Sequence, residues 1–186
     1  MTQNPTISVI MPIYNSERYV YDAIKSILFQ TYADFEFIII NDGSTDESLN
    51  IIKRFDDTRI KIINQKNLGI PVALNNGIKI AKGKYIARMD ADDIADKKRF
   101  ELQVSFLEEN LEYDLVGSCA EYINEKNEII GEFNRTIDNQ GEFLYSLLEH
   151  FTMIIHPSVM IKKEVLINIG CYDEKIIMQQ KSYNCK

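Results

Sequence analysis

The chain contains 186 residues, of which 45% are hydrophobic and 26% are charged. This is the balance of a single globular domain, and it excludes a disordered, fibrous or low-complexity chain. Acidic residues outnumber Lys and Arg by 28 to 21, which gives a net charge of -7, and no basic run offers a surface for a phosphate backbone, so we predict no nucleic-acid partner.

The apolar runs are too short to cross a membrane. The longest of them, such as Ile7–Ile13, fall well short of the roughly 18 residues that a membrane helix requires. The first residues also lack the charged and apolar regions of a secretory signal. We therefore predict a cytoplasmic protein without a transmembrane segment.

Strand and helix patterns alternate along the first half of the chain. Apolar, β-branched runs predict four strands, at residues 7–14, 35–41, 60–63 and 85–89. Residues at helical spacing predict a helix after each of the first three strands; a capping box of Ser44 and Glu47 opens the second, and Gly83 ends the third. The alternation predicts a mostly parallel sheet with helices on both faces, an α/β architecture of the doubly wound kind.

The pattern changes after a fourth helix near residues 100–107. Residues 115–123 and 129–133, with a polar turn between them, predict a β-hairpin. Three further elements are expected: a helix near 141–149, a strand near 157–161 and a short helix near 164–169. The C-terminal part is therefore expected to be mixed rather than parallel.

Polar residues follow each of the four predicted strands at the point where the strand ends. They are Pro12, Tyr14 and Asn15 after the first, Asp42 after the second, Asn67 after the third, and Asp90 and Asp92 after the fourth. Ligands of open α/β sheets bind outside the carboxyl ends of the strands. These residues therefore predict one polar, acidic crevice.

Asp90 and Asp92 flank Ala91 in a turn that can aim both carboxylates at one hard cation, and Mg²⁺ or Mn²⁺ fits. The alternative is that these acids, with Asp93, only favour the positive N-terminal end of the next helix. The metal hypothesis gains support because an acidic crevice repels an anionic ligand unless a divalent cation bridges carboxylate and phosphate. Acidic clefts of this kind can hold diphosphates.

Asp42 and Tyr14 each have two interpretations. Asp42 can accept a hydrogen bond from a base or ribose, although the sequence Asp-Gly-Ser-Thr-Asp is also ordinary turn and helix-cap chemistry. Tyr14 can stack on a base, or its ring can be half-buried at the sheet edge.

A dinucleotide-binding fold is excluded because residues 14–19 contain no glycine, and no P-loop motif occurs.

Taken in order, these motifs resemble those of family 2 glycosyltransferases. The segments that carry the resemblance are residues 8–15, 41–46, 67–69, 73–75, 83–86 and 90–93. The resemblance spans roughly residues 7–174, and the order and spacing of several motifs are more specific than any one of them.

The resemblance implies a GT-A fold, a nucleotide-sugar donor with UDP as the expected nucleotide, and transfer to a hydroxyl group with inversion. It assigns a set of residues to the base and ribose: Pro12, Tyr14, Asn15 and Asp42, with Glu17 and Asn67 nearby. Asp90 would hold the ribose or the metal shell, and Asp92 would coordinate the Mn²⁺ or Mg²⁺ that bridges the diphosphate. Ala91 between them would belong to the same nucleotide-sugar site. Arg99 would brace the acidic loop.

The same resemblance implies a glycan or lipid-linked glycan acceptor and a role in bacterial surface polysaccharide or cell-envelope glycan synthesis. Peripheral association of the full-length form with the inner face of the membrane is the corresponding expectation. A module that only makes protein contacts is a further alternative, and it predicts no nucleotide binding.

The sequence departs from the family pattern near its end. The family continues past Glu174 to an acidic pair that supplies the general base, whereas residues 175–186 contain no Asp or Glu. We therefore predict a GT-A nucleotide-sugar-binding domain over residues 1–174, incomplete at the acceptor side, and a divergent tail over 175–186, and we assign no catalytic residue. The alternative is a truncated, catalytically impaired domain that binds the nucleotide sugar without the base.

Overall fold

In the computed structural model, which describes residues 4–134 and 154–175, the first half of the chain alternates strand and helix. Its elements are β1 (Ile7–Ile13), α1 (Val20–Leu28), β2 (Phe35–Asp42), α2 (Ser48–Ile52), β3 (Ile60–Gln65), α3 (Ile70–Ile80) and β4 (Tyr85–Arg88). The four predicted strands and the three helices between them are confirmed.

The second half is mixed, as predicted. Its described elements are α4 (Arg99–Glu109), β5 (Leu115–Val116), β6 (Ala120–Ile123), β7 (Ile129–Phe133), a 3₁₀ turn (His156–Ser158), β8 (Met160–Lys162) and α5 (Lys163–Asn168). The helix expected near 141–149 and residues 176–186 of the expected tail lie outside the described residues.

Within the described ranges the main sheet has six strands in the order β3-β2-β1-β4-β8-β5. The strands β3, β2, β1 and β4 run parallel, and β8 runs antiparallel to both β4 and β5. The chain winds from β1 outward to β3 and then returns to place β4 on the other side of β1. This change of direction creates a crevice beyond the carboxyl ends of β1 and β4, where ligands of doubly wound sheets bind.

Helices cover both faces of the sheet. Val9 and Met11 of β1 pack with residues of α1, α2 and α4, whereas Ile10 between them packs with residues of α3 and α5. Every residue of β1 and β2 is buried, which explains why these strands are continuous apolar runs rather than alternating ones. The doubly wound α/β fold with a hairpin-containing C-terminal part is confirmed.

The predicted capping box of Ser44 and Glu47 is wrong. Helix α2 begins at Ser48, and the side chain of its N-cap residue, Glu47, makes no capping hydrogen bond. The Ser44 hydroxyl instead accepts the Asn15 N–H at 3.1 Å, and the Glu47 carboxylate accepts a hydrogen bond from Asn50. The Ser44 hydroxyl that the spacing assigned to the start of the helix is therefore bonded to Asn15, which is distant in the sequence.

Gly83 does not end α3, which stops at Ile80. A Cβ on Gly83 would lie 2.4 Å from the backbone nitrogen of Ser8. Glycine is required here because the chain passes directly against β1.

Two predicted strands have different bounds. Residues 115–123 form two separate strands, and only β6 pairs with β7 in the hairpin. The strand expected at 157–161 begins at Met160, since Pro157 lies in the 3₁₀ turn.

No helix in the described ranges is long and apolar enough to span a bilayer.

Candidate functional site

An open cleft of about 350 Å³ lies beyond the carboxyl ends of the central strands. Eight of the nine predicted site residues line it: Pro12, Tyr14, Asn15, Asp42, Asn67, Asp90, Ala91 and Asp92. Five residues that sequence reasoning did not assign also line it: Ile13, Ser16, Tyr19, Gly69 and Ile70. The topology thus brings the ends of four strands to one surface.

Glu17, the ninth predicted residue, does not line the cleft. Its carboxylate accepts the Glu47 N–H at 2.9 Å, and its own N–H donates to Asp46 at 3.0 Å. Glu17 therefore joins the loop after β1 to the loop after β2 and supports the rim from behind.

Asn15 makes the same connection from inside the cleft. Its backbone has a φ of +50°, a left-handed conformation that Asn tolerates better than most residues. Its side-chain oxygen accepts the Thr45 N–H at 2.8 Å. The two loops are consequently held as one unit along this side of the cleft.

Asp42 is buried at the end of β2, with 4% of its surface exposed. Its Oδ1 accepts hydrogen bonds from Gln65 Nε2 at 2.8 Å and from the Leu68 N–H at 2.9 Å, and its Oδ2 accepts the Gly69 N–H at 2.9 Å. Leu68 and Gly69 directly precede α3, so the carboxylate fixes the entrance to that helix. Asp42 therefore bonds to the loop before α3 and not to the first turn of either helix. The helix-cap chemistry left open by the sequence is present at Asp46, whose Oδ1 accepts the Ser48 N–H at the start of α2 at 3.0 Å.

Two tyrosines form an aromatic wall of the cleft. Tyr14 is 50% exposed and Tyr19 is 40% exposed. Tyr19 was missed because it directly precedes α1 rather than following a strand. The signal that could have revealed it is a large aromatic side chain at the start of the helix that follows β1.

The acidic turn after β4 gathers three carboxylates. Oxygens of Asp90, Asp92 and Asp93 all lie within 4.8 Å of one another. Helix α4 begins only at Arg99, six residues beyond Asp93. Since charge effects at a helix end fade within one turn, favouring the helix N-terminus does not explain these acids.

The negative charges of these carboxylates raise the pKa values of their neighbours in the turn. Burial and then the neighbouring Asp90 charge raise the pKa of Asp92. Burial, followed by the charges of Asp90 and Asp92, raises the pKa of Asp93 to about 6. Closely spaced carboxylate oxygens that repel one another suit a hard divalent cation such as Mg²⁺ or Mn²⁺.

Two arginines hold the strand that leads into this turn. Nη2 of Arg88 lies 2.7 Å from Oδ1 of Asp90. Arg99 Nη2 donates to the Arg88 carbonyl at 2.7 Å and to the Val159 carbonyl at 3.3 Å. The Arg99 side chain therefore holds the C-terminal end of β4 through a hydrogen bond to the main chain of that strand.

A polar cluster that the sequence did not reveal lies beside Arg88. His156 Nε2 and the Tyr172 hydroxyl form a hydrogen bond of 2.8 Å. Burial and the Arg88 charge lower the pKa of His156 to about 4, so its imidazole is neutral at pH 7. Asn75 of α3 anchors this segment by donating to the Tyr172 carbonyl and the Glu174 carboxylate, both at 2.9 Å.

A doubly wound sheet with an acidic turn at its switch point is the arrangement expected of the GT-A class of glycosyltransferase folds. The sequence model of glycosyl transferase family 2 matches residues 8–170. The chain therefore belongs to glycosyl transferase family 2.

Two similar sequences are uncharacterised glycosyltransferases. One from Methanocaldococcus jannaschii is 41% identical over 182 residues, covering 95% of this chain and 62% of the relative. One from Haemophilus influenzae is 39% identical over 183 residues, covering 90% of this chain and 57% of the relative. The chain thus spans 57% to 62% of the length of these two relatives.

Solved structures with the same fold include residues 1–349 of S. aureus TarS in complex with UDP. This match has a TM-score of 0.73 and 21% identity, and it covers 94% of this chain and 52% of the TarS 1–349 chain. A second is the mannosyltransferase PcManGT of Pyrobaculum calidifontis in complex with GDP-Man and Mn²⁺. Its TM-score is 0.68 at 20% identity, and the match covers 94% of this chain and 49% of the PcManGT chain. At this level of identity these structures establish the fold alone.

Proposed function

We propose that the cleft binds a nucleoside diphosphate sugar, with UDP as the nucleotide, for transfer of the sugar to a hydroxyl acceptor with inversion. The observation that carries the proposal is the convergence of Tyr14, Asp42 and the acidic turn on one cleft at the switch point of the sheet. Membership of glycosyl transferase family 2 supports the reaction class.

The base and ribose would occupy the side of the cleft formed by Tyr14 and Asp42. The half-exposed ring of Tyr14 offers a stacking surface. Oδ2 of Asp42 accepts one hydrogen bond from the described residues, and a carboxylate oxygen has two acceptor positions. A second N–H, such as that of a uracil edge, can therefore be accepted without breaking the bond to Gly69.

The diphosphate would lie toward the acidic turn. Asp92, with Asp90 beside it, would hold Mn²⁺ or Mg²⁺, because the clustered carboxylate oxygens are the ligands that these cations prefer. When bound, the cation neutralises charge on the diphosphate as the nucleotide leaves. The solved complex of PcManGT with GDP-Man and Mn²⁺ supports a divalent metal in this fold.

The acceptor that we propose is a hydroxyl group of a glycan or lipid-linked glycan in cell-envelope or surface polysaccharide synthesis. This part of the proposal depends on the family resemblance, and we assign no general base. A transfer assay with labelled UDP-sugars distinguishes a transferase from a domain that only binds the donor.

Calorimetric titration of UDP into the protein tests the binding proposal. The wild type is expected to bind UDP more tightly in Mn²⁺ than in a chelator. In Mn²⁺, Asp92→Asn should weaken UDP binding at least about tenfold. Asp56→Asn, which makes the same charge change at an exposed position outside the cleft, is the matched control. Equal affinity in Mn²⁺ and chelator for the wild type would refute a metal-bridged diphosphate.

A further inference from the structure

Arg88 is a buried cation directly behind the acidic turn. Only 6% of its side chain is exposed. It follows Ile86 by two residues on β4 and so shares the face that is covered by α3 and α5. From there Nη2 reaches Oδ1 of Asp90 at 2.7 Å.

Asp90 is the carboxylate within ion-pair distance of Arg88 in the described part of the chain. The Arg88 charge also acts on Asp92 and Asp93, where it partly offsets the rise in pKa that burial and the neighbouring acids cause. Arg88 forms no other ion pair in the described part of the chain, and its Nε and Nη1 are buried without a hydrogen-bond partner among the same residues. The nearby pair of His156 and Tyr172 is neutral at pH 7, because burial lowers the pKa of His156 to about 4 and raises that of Tyr172. Loss of the one ion-pair partner of a buried charge is strongly destabilising, so we expect this pair to hold Asp90 in place.

The backbone of Arg88 is also fixed. Its N–H donates to the Val159 carbonyl at 2.9 Å, and its carbonyl accepts from Arg99 at 2.7 Å. The guanidinium therefore projects from a rigid position, so that its ion pair can define where Asp90 lies.

We propose that Arg88 is a positioning residue for the acidic turn. Its guanidinium holds Asp90 through Oδ1 and leaves the other carboxylate oxygen available to the cleft. Asp92 has no ion pair within residues 4–134 and 154–175, so the two acids have unequal roles: Asp90 is fixed to the protein, and Asp92 is open to the ligand. The inference rests on the proposed function, since it concerns how the turn holds metal and diphosphate.

The test compares UDP affinity in Mn²⁺ and in chelator for four proteins: the wild type, Arg88→Met, Asp90→Asn and the double variant. Arg88→Met should weaken Mn²⁺-dependent binding by about 10- to 100-fold, the range typical of residues that orient metal ligands, and should leave affinity in chelator unchanged. Because Arg88 acts through Asp90, Arg88→Met should cause little further loss in the Asp90→Asn background. A purely structural role would lower affinity in both conditions and in both backgrounds.

Arg59→Met is the matched control. Arg59 forms an ion pair of 2.8 Å with Asp57 outside the cleft, so its loss should leave Mn²⁺-dependent binding unchanged. If Arg88→Met does not fold, Arg88→Lys takes its place, since lysine keeps the charge but lacks the planar guanidinium; it should still lose Mn²⁺-dependent affinity.

The inference would be overturned if Arg88→Met, or a folded Arg88→Lys, bound UDP in Mn²⁺ as tightly as the wild type. It would also be overturned if Arg88→Met lowered UDP affinity equally in the wild-type and Asp90→Asn backgrounds. Failure of the wild type itself to bind UDP with Mn²⁺ would instead refute the proposed function, so the two failures are distinguishable.

Discussion

At the residue scale, Asp42 has both a structural and a proposed ligand-binding role. Its carboxylate accepts three hydrogen bonds, two of them from backbone N–H groups in the loop directly before α3. The same residue lines the cleft. A substitution here should therefore affect stability and nucleotide affinity together.

We expect Asp42→Asn to lower the free energy of unfolding by about 1–3 kcal/mol, because the amide NH₂ must replace an oxygen that faces an N–H donor. UDP affinity should fall as well, since the acceptor offered to the base is altered. Chemical denaturation and calorimetric titration measure the two effects.

Asp34→Asn is the control for this prediction. Asp34 is exposed, and both of its accepted hydrogen bonds, from the Thr6 N–H and hydroxyl, use Oδ2. Asparagine can keep both bonds with its single oxygen, so stability should change little. Unchanged UDP binding by a destabilised Asp42→Asn would limit Asp42 to its structural role.

Sequence reasoning found the residues that follow strands, because the carboxyl ends of parallel strands meet at one edge of a sheet. It could not find the contacts between Arg88, His156 and Tyr172, which are separated by up to 84 positions (172 − 88) in the sequence. Such pairs depend on how β8 and α5 pack beside β4. No local pattern contains that information.

At the element scale, the buried carboxylate of Glu36 on β2 joins several elements. It accepts hydrogen bonds from Ser8 of β1 at 2.6 Å, from Lys61 of β3 at 2.5 Å and from the Lys82 N–H at 2.6 Å. The Ser8 hydroxyl in turn accepts the Gly83 N–H at 2.8 Å. One carboxylate thus holds three strands and the loop that leads into β4.

Glu36→Gln should reduce the free energy of unfolding at pH 7 by about 1.5–3 kcal/mol, the range for hydrogen bonds to a charged group. Burial alone would raise the pKa of Glu36, but hydrogen bonds from Lys61, Ser8 and Lys82 lower it below its ordinary value of 4.5. The stabilisation is therefore present above pH 4.5 and is lost as the pH falls through the lower folded pKa.

Urea denaturation from pH 7 down to pH 3 measures this effect. The difference between wild type and Glu36→Gln should narrow in acid, whereas the exposed control Glu112→Gln should differ little from wild type throughout. A difference that does not change with pH would mean that the charge of Glu36 contributes nothing.

The elements themselves were largely predictable where burial is complete. β1 and β2 are buried along their whole length, so apolar runs of strand length identified them. The start of α2 was not predictable, because Ser44 bonds to Asn15 rather than to its own helix. The segment 115–123 was also misread, since neighbouring strands in it join different sheets.

At the scale of the whole molecule, every described residue that lines the cleft lies between Pro12 and Asp92. The later described elements support it from outside: β8 pairs with β4, and the Tyr172 segment is anchored to α3 by Asn75. We therefore expect donor binding to be a property of these 186 residues.

A crystal structure of the protein with UDP and Mn²⁺ would locate the nucleotide and the metal in the cleft. It should show the uracil against Tyr14 and within hydrogen-bond distance of Asp42, with anomalous density for Mn²⁺ between Asp92 and the diphosphate. An empty cleft at saturating UDP and Mn²⁺, or a nucleotide bound away from Tyr14 and Asp92, would contradict the proposed donor site.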